Sequence, residues 1–486
     1  MSETLERPSP GGGGSPDSRK PSPARGGSRR PDLDSLFSIN PDGSRNAIHP
    51  ADVKGRFQRR KNALWGVLIA VYLAMPWVKI GGKPAILIDI GARHFYLFGR
   101  TFNAQDFWLA FFYLSGLGFA LFVVAALFGR LWCGYACPQT VFLEGVFRRI
   151  ERWIEGKARE RMKLDREPLR GRKLGLRALK LSVYLVISLV LSHSFLGYFM
   201  PVERVLEAVT SRPTAHPTAF LFTAVFTAII FVNFAWFREQ LCIVVCPYGR
   251  LQGALYDPDT IVVGYDRRRG EPRGRATESG RGDCVDCDRC VAVCPTGIDI
   301  RNGTQLECVG CANCIDACDE VMDRLGRPRG LVRYDSQNGF DGDRRKFLRP
   351  RVALYSVLLC VGLLVFLFAA SKRVPFEANL VRAPGMAFTI DAGLVRNSFT
   401  LHLLNKLPEA RDFRIEGLGP EGAEIVIAQP EIRLESLSDA QIVVLVQQGR
   451  KSFQRGRQLE VRVTTTGDEG RPLERIARAP FAGPVR

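Results

Sequence analysis

Eight of the thirteen cysteines lie between residues 284 and 318. They read Cys284-x2-Cys287-x2-Cys290-x3-Cys294-Pro295, then Cys308-x2-Cys311-x2-Cys314-x3-Cys318. Three thiolates at x2 spacing can close on three irons of one cubane from a single tight loop, while the cysteine beyond the x3 gap completes the other cubane. On that rule Cys284, Cys287, Cys290 and Cys318 hold one 4Fe-4S cluster, and Cys308, Cys311, Cys314 and Cys294 hold a second. Zinc ribbons pair two C-x2-C knuckles and gain nothing from a third cysteine at x2 followed by one at x3. The chemistry indicated is single-electron transfer.

A second cysteine set is duplicated. Cys133-x3-Cys137-Pro138 and Cys242-x3-Cys246-Pro247 each follow a Phe placed five residues earlier, Phe128 and Phe237. Spacing i, i+4 puts both thiols of a pair on one helical face if the helix persists through them. Pro138 and Pro247 impose a bend or a new helix start, where freed backbone N–H groups favour thiolate. Soft thiolates suit copper(I), zinc or an iron-sulfur centre, and a dithiol can also cycle to a disulfide. A buried cysteine is often only a small hydrophobe. That reading suits Cys360, whereas repetition of both Cys and Pro favours a copper-binding or redox role for Cys133, Cys137, Cys242 and Cys246. Of five histidines, His193 alone falls in an apolar run, so a bis-histidine haem has too few ligands.

The elements that position these thiols are membrane spans. Apolar runs at about 63–78, 107–129, 181–200, 218–237 and 352–370 are candidates to cross a bilayer. The first is short and contains Pro76. Two crossings precede each C-x3-C-P, so the membrane part reads as a duplicated helical hairpin. The connection from 130 to 175 is dense in Arg and Lys, among them Arg148, Arg149, Arg152, Arg159 and Arg161, which places it in the cytoplasm. The N-terminus and the eight-cysteine stretch then lie on the cytoplasmic side of the inner membrane, and everything after about 371 lies in the periplasm. Most of the net charge of +19 sits beside spans, where lipid and topology account for it. No nucleic-acid motif accompanies it, which argues against nucleic acid as a partner.

The expected fold class is an α-helical integral membrane protein of five spans with a double 4Fe-4S ferredoxin-like insert and a C-terminal immunoglobulin-like β-sandwich. Residues 1–50, rich in Gly, Pro, Ser and Arg, read as a disordered cytoplasmic tail. The four-span membrane domain covers 51–250, the ferredoxin domain 251–350, the fifth span 351–371 and the periplasmic domain 372–486. The charged stretch 257–283 reads as a solvated loop. Val285, Val291, Ala292, Val309, Ala312 and Ile315 are expected to shield the clusters. Alternating segments near 395–405, 411–416, 423–428, 439–447 and 457–465 predict the strands of the sandwich.

Taken together, the chain resembles the FixG family, also called CcoG or RdxA, over nearly its whole length after about residue 35. The resemblance rests on Trp132-Cys133-Gly134-Tyr135-x-Cys137-Pro138-Gln139, Cys242-x3-Cys246-Pro247-Tyr248, Arg269-Gly270-Glu271-Pro272-Arg273-Gly274 and Cys294-Pro295-Thr296-Gly297-Ile298-Asp299-Ile300-Arg301. Cys318-Asp319, with Asp where simple ferredoxins place Pro, is a further family trait. The resemblance implies accessory work for cbb₃-type cytochrome c oxidase, namely reduction of copper(II) to copper(I). The implied partners are membrane lipid, a cytoplasmic or quinol electron donor, copper ion and the oxidase assembly machinery. Two competing roles are a quinol-linked ferredoxin feeding a periplasmic reductase and a non-catalytic copper or oxidase assembly factor.

Overall fold

The computed structural model describes residues 47–484, apart from 92–93, 104–106, 276–279, 372–373, 408, 420–421, 437, 454–455 and 467–471. The expected N-terminal tail lies almost wholly outside the described residues. Helix α1 spans Arg56–Ala74, α2 Phe107–Phe128, α3 Pro138–Phe142, α4 Gly171–Leu196, α5 Pro217–Val232, α6 Pro247–Leu255, α7 Asn313–Arg324 and α8 Pro350–Ser371. Among the described residues four helical segments are long and apolar enough to cross a membrane: Trp108–Phe128, Gly171–Leu196, Pro217–Phe237 and Pro350–Ala369. These fit a membrane protein. The expected first span falls in α1, whose opening turns carry Arg56, Arg59, Arg60 and Lys61, leaving a shorter apolar stretch than the other four.

The helices associate in two pairs, α2 with α8 and α4 with α5. The insert between α6 and α8 leaves and returns at one point, the C-terminal end of α2. Ile261 N donates to the Leu127 carbonyl at 3.0 Å, Thr260 Oγ1 to Ala126 O at 2.9 Å and Arg349 Nη2 to the same carbonyl at 3.0 Å. Terminal helix carbonyls have no partner within the helix, so the insert satisfies them and is thereby held against the membrane part.

Helix α1 docks on the insert at its other end. Asp316, on α7, accepts from the Phe57 and Gln58 N–H groups at 3.2 and 2.7 Å. It thus caps a helix start whose own N-cap residue, Gly55, offers no side chain. Lys61, 1% exposed, donates to the Cys311 carbonyl at 2.7 Å and to Asn313 Oδ1.

The stretch 257–283 is not a loop throughout. Val262–Tyr265 forms a strand antiparallel to Val332–Asp335, and Arg267–Gly270 makes one helical turn capped by Asp266. The charge-rich composition hid a strand because Val262, Val263 and Tyr265 are too few to show a period, and pairing is supplied from seventy residues away.

The C-terminal part is two antiparallel sheets. One orders its strands Ala423–Ile427, Asp439–Gly449, Leu394–Asn405 and Phe376–Arg382, with Thr389–Asp391 also on Leu394–Asn405. The other orders Glu431–Leu434, Arg411–Leu418, Gln458–Thr466 and Pro472–Pro480. All five expected strands are present, and the four others are shorter or interrupted by charge.

Candidate redox centres

Within the insert, two cavities are lined by cysteine quartets. Cys284, Cys287, Cys290 and Cys318 line one with Val285, Val321, Met322 and Leu331. Cys294, Cys308, Cys311 and Cys314 line the other with Ile298, Ile300, Val309 and Ala312, and Cys290 touches it as well. Each grouping is the one expected from the x2 and x3 spacing. The two loops are local copies: Asp288 and Ala312, each two residues before a cysteine, both adopt left-handed backbone at φ 54° and 61°, and each starts a helix. Such backbone is costly for a residue with a Cβ and persists where the surroundings demand it. Here it turns successive thiols toward one point.

Of the residues expected to shield the clusters, Val309, Ala312 and Ile315 are buried, whereas Ala292 is exposed and Val293 takes the inward position. Burial pushes the thiols of Cys290, Cys308 and Cys318 up to about 12. A bound cluster takes the place of those protons, which couples its binding to local folding. Among the described residues no three His, Cys, Asp or Glu side chains stand close enough to hold one metal ion. Four thiols around one apolar cavity are the donor set that a cubane needs, so both quartets fit the group.

Charged residues brace this apolar interior. Arg301, 4% exposed at its side chain, pairs with Asp286 at 2.6 Å, Asp288 at 2.6 Å and Asp299 at 2.7 Å. Asp319, singled out after Cys318, is buried and accepts from the Gly330 N–H at 3.0 Å, so it fixes a turn of the insert. Tyr265 is buried beside Cys284 and donates to Glu271 at 3.3 Å.

The two C-x3-C-P pairs sit against the second quartet. Gly134 packs so tightly on the insert that a Cβ there would meet Gly310 O at 2.8 Å and Cys311 Cα at 2.9 Å. Cys242 and Cys311 line one cavity of about 50 Å³ with Lys61, Glu144 and Glu239, roomy enough for a few waters. The helix does not persist through either pair: Cys137 and Cys246 are extended, at φ −62° and −65°, and the following Pro starts α3 and α6. Burial pushes Cys133 and Cys242 up to about 12, and raises Cys137.

The sequence reading missed a buried ion-pair cluster beside these thiols. Arg148 and Arg161, read only as topology signals, are each 1% exposed. Arg148 pairs with Glu239 at 3.0 Å and with Glu144. Glu151 meets Arg238 at 3.0 Å, Arg161 at 3.2 Å and Lys180 at 3.4 Å. The acids Glu144, Glu151 and Glu155, interleaved with the basic residues at helical spacing, were the available signal. His193, by contrast, bonds the Leu189 carbonyl of its own helix at 2.8 Å, and Cys360 is exposed on α8.

Comparison with known proteins bears on the same stretches. A 4Fe-4S dicluster domain model matches residues 237–337, a 4Fe-4S binding domain model matches 109–159, and a model for the IG-like fold at the C-terminus of FixG matches 366–484. Protein RdxA of Cereibacter sphaeroides is 41% identical over 78% of this chain and 83% of its own length. Nitrogen fixation protein FixG of Rhizobium meliloti is 36% identical over 77% and 80%, and protein RdxB of Cereibacter sphaeroides 37% over 76% and 82%.

Proposed function

This chain belongs to the family of RdxA, RdxB and FixG, an iron-sulfur electron-transfer family, and we propose that it reduces copper(II) to copper(I). In this reading Cys284, Cys287, Cys290 and Cys318 hold one 4Fe-4S cluster, and Cys294, Cys308, Cys311 and Cys314 hold the other. Bound there, the clusters supply one-electron carriage at potentials that can reach several hundred millivolts below zero, enough to drive cupric reduction. The balance is one electron per copper ion, from an external donor that is either a cytoplasmic reductant or a quinol.

The observation that carries the reading is the shared cavity of Cys242 and Cys311. It brings a thiol of the membrane part and a thiol of the insert to the wall of one cavity. Cys133, Cys137, Cys242 and Cys246 form the end of the path, and their soft sulfurs favour the cuprous product. Lys61, Arg148 and Asp316 lock the two parts in register. Distance governs electron transfer, so that rigidity is a working part of the device. The Lys and Arg distribution supports an insert in the cytoplasm and a sandwich in the periplasm. The family resemblance supports a cbb₃-type oxidase as the destination of the copper. Anaerobically reduced protein should convert cupric ion to a chelatable cuprous form at one ion per electron stored. Absence of the cuprous chelate from cluster-replete protein would sink the reductase reading.

A further inference from the structure

We propose that Cys133, Cys137, Cys242 and Cys246 together hold a third 4Fe-4S cluster, assembled across the two copies of the C-x3-C-P repeat. The copies fold alike in backbone detail. Gly129 and Arg238, each four residues before the first cysteine, both take left-handed backbone, at φ 53° and 51°. A short helical turn then carries Cys133 or Cys242, the second cysteine is extended, and Pro begins a helix. Left-handed backbone at a non-glycine such as Arg238 is strained, so its appearance at the matching position indicates a geometry the site requires.

The copies also clasp each other. Gln139, just after the first repeat, donates to the Arg238 carbonyl at 2.9 Å, and Gln252, after the second, donates to the Gly129 carbonyl at 3.0 Å. Each repeat thereby fixes the left-handed turn of the other. Gln252 further accepts from Cys133 Sγ at 3.6 Å, and Arg130 donates to the Gly249 carbonyl. The result is that the two cysteine pairs are held on facing repeats.

One fact then selects the ligand. The 4Fe-4S binding domain match at 109–159 contains two cysteines, Cys133 and Cys137, half the ligands of a cubane. Their counterparts Cys242 and Cys246 supply the other half. Arg130, 7% exposed and with its Nε free of hydrogen bonds, places a cation whose charge acts on Cys133 and Cys242, as an anionic cluster in a dry site needs.

The inference takes from the proposed function only that these thiols end the electron path. Its test is iron and acid-labile sulfide analysis of the full-length chain, purified anaerobically in detergent, with EPR of the reduced protein. The expected content is about twelve irons and about twelve sulfides per chain, falling by about a third in Cys137→Ser/Cys246→Ser with the dicluster signals retained. About eight irons in the wild type with an intact dicluster signal overturns the proposal, whatever the variant does. Unchanged iron in the variant overturns it too. The cuprous assay separates the two readings. A third cluster without cupric reduction leaves this site standing and removes the reductase. Thiol-dependent cupric reduction by protein with the two insert clusters alone does the reverse.

Discussion

Along Leu394–Asn405, Val395, Phe399, Leu401 and Leu403 point inward and are 0% exposed, part of a core shared by both sheets. The insert has a far smaller apolar cluster, Val263, Tyr265, Ile300, Ala312, Ile315, Met322, Leu331 and Val332 among its members, and it surrounds thiols. The sandwich closes on itself by side-chain burial, with cross-strand pairing satisfying its backbone. The insert closes around a cofactor and ties its loops with ion pairs such as Arg301 to Asp299. The difference teaches that one region stores its stability in hydrocarbon and the other in metal ligation and charge.

The largest effect should come from stripping iron. Chelation under reducing conditions should leave 262–335 open to protease while a fragment covering 376–480 stays resistant, as read by mass spectrometry of the cleavage sites. Equal loss of protection in both regions would break the contrast. Truncating the hydrocarbon core tests the converse: Phe399→Ala should cost the sandwich about 3–5 kcal/mol, seen as faster hydrogen exchange across its strands, with iron content unchanged.

Arg301→Leu comes next. It leaves Asp299 buried without its partner and should destabilise the insert by about 3 kcal/mol, the low end for a broken buried pair because Asp286 and Asp288 reach solvent. Hydrogen exchange should locate the loss in the insert, and Arg301→Lys should recover part of it.

The smallest effect is acid sensitivity. Burial alone would raise Asp299 and Asp266, but hydrogen bonds and charge from Arg301 and from Arg333 hold both carboxyls below the usual range. A depressed carboxylate contributes stability that is fully present above its unfolded pKa and is lost as pH falls through the folded one. The insert should therefore loosen as pH drops below the ordinary carboxylate range, and neutralising Asp266 as Asn should flatten that profile. An unaltered profile in the variant would assign the acid transition elsewhere.

Much of this was legible in the chain. Sandwich strands announce themselves because alternation is a local property of consecutive residues, as in Ser398-Phe399-Thr400-Leu401. The strand Glu431–Leu434 escaped because four residues carry too little pattern, and Val262–Tyr265 because its partner strand is remote. Arg148 and Arg161 were readable as charges but not as buried ones, since burial depends on Glu144, Glu151 and Glu239 arriving from other turns and from the second repeat.

The sequence by itself determined which cysteines of the insert gather round one cavity and which cross to the other, because the x2 and x3 spacings limit what one loop can reach. It also determined the duplication of C-x3-C-P. Only the tertiary structure decided that the copies face each other, through Gln139 on Arg238 and Gln252 on Gly129, and that Cys242 and Cys311 share a cavity. Those contacts join residues far apart in the chain, along paths set by helix packing and by the return of the insert to the end of α2. No local pattern in the chain encodes them.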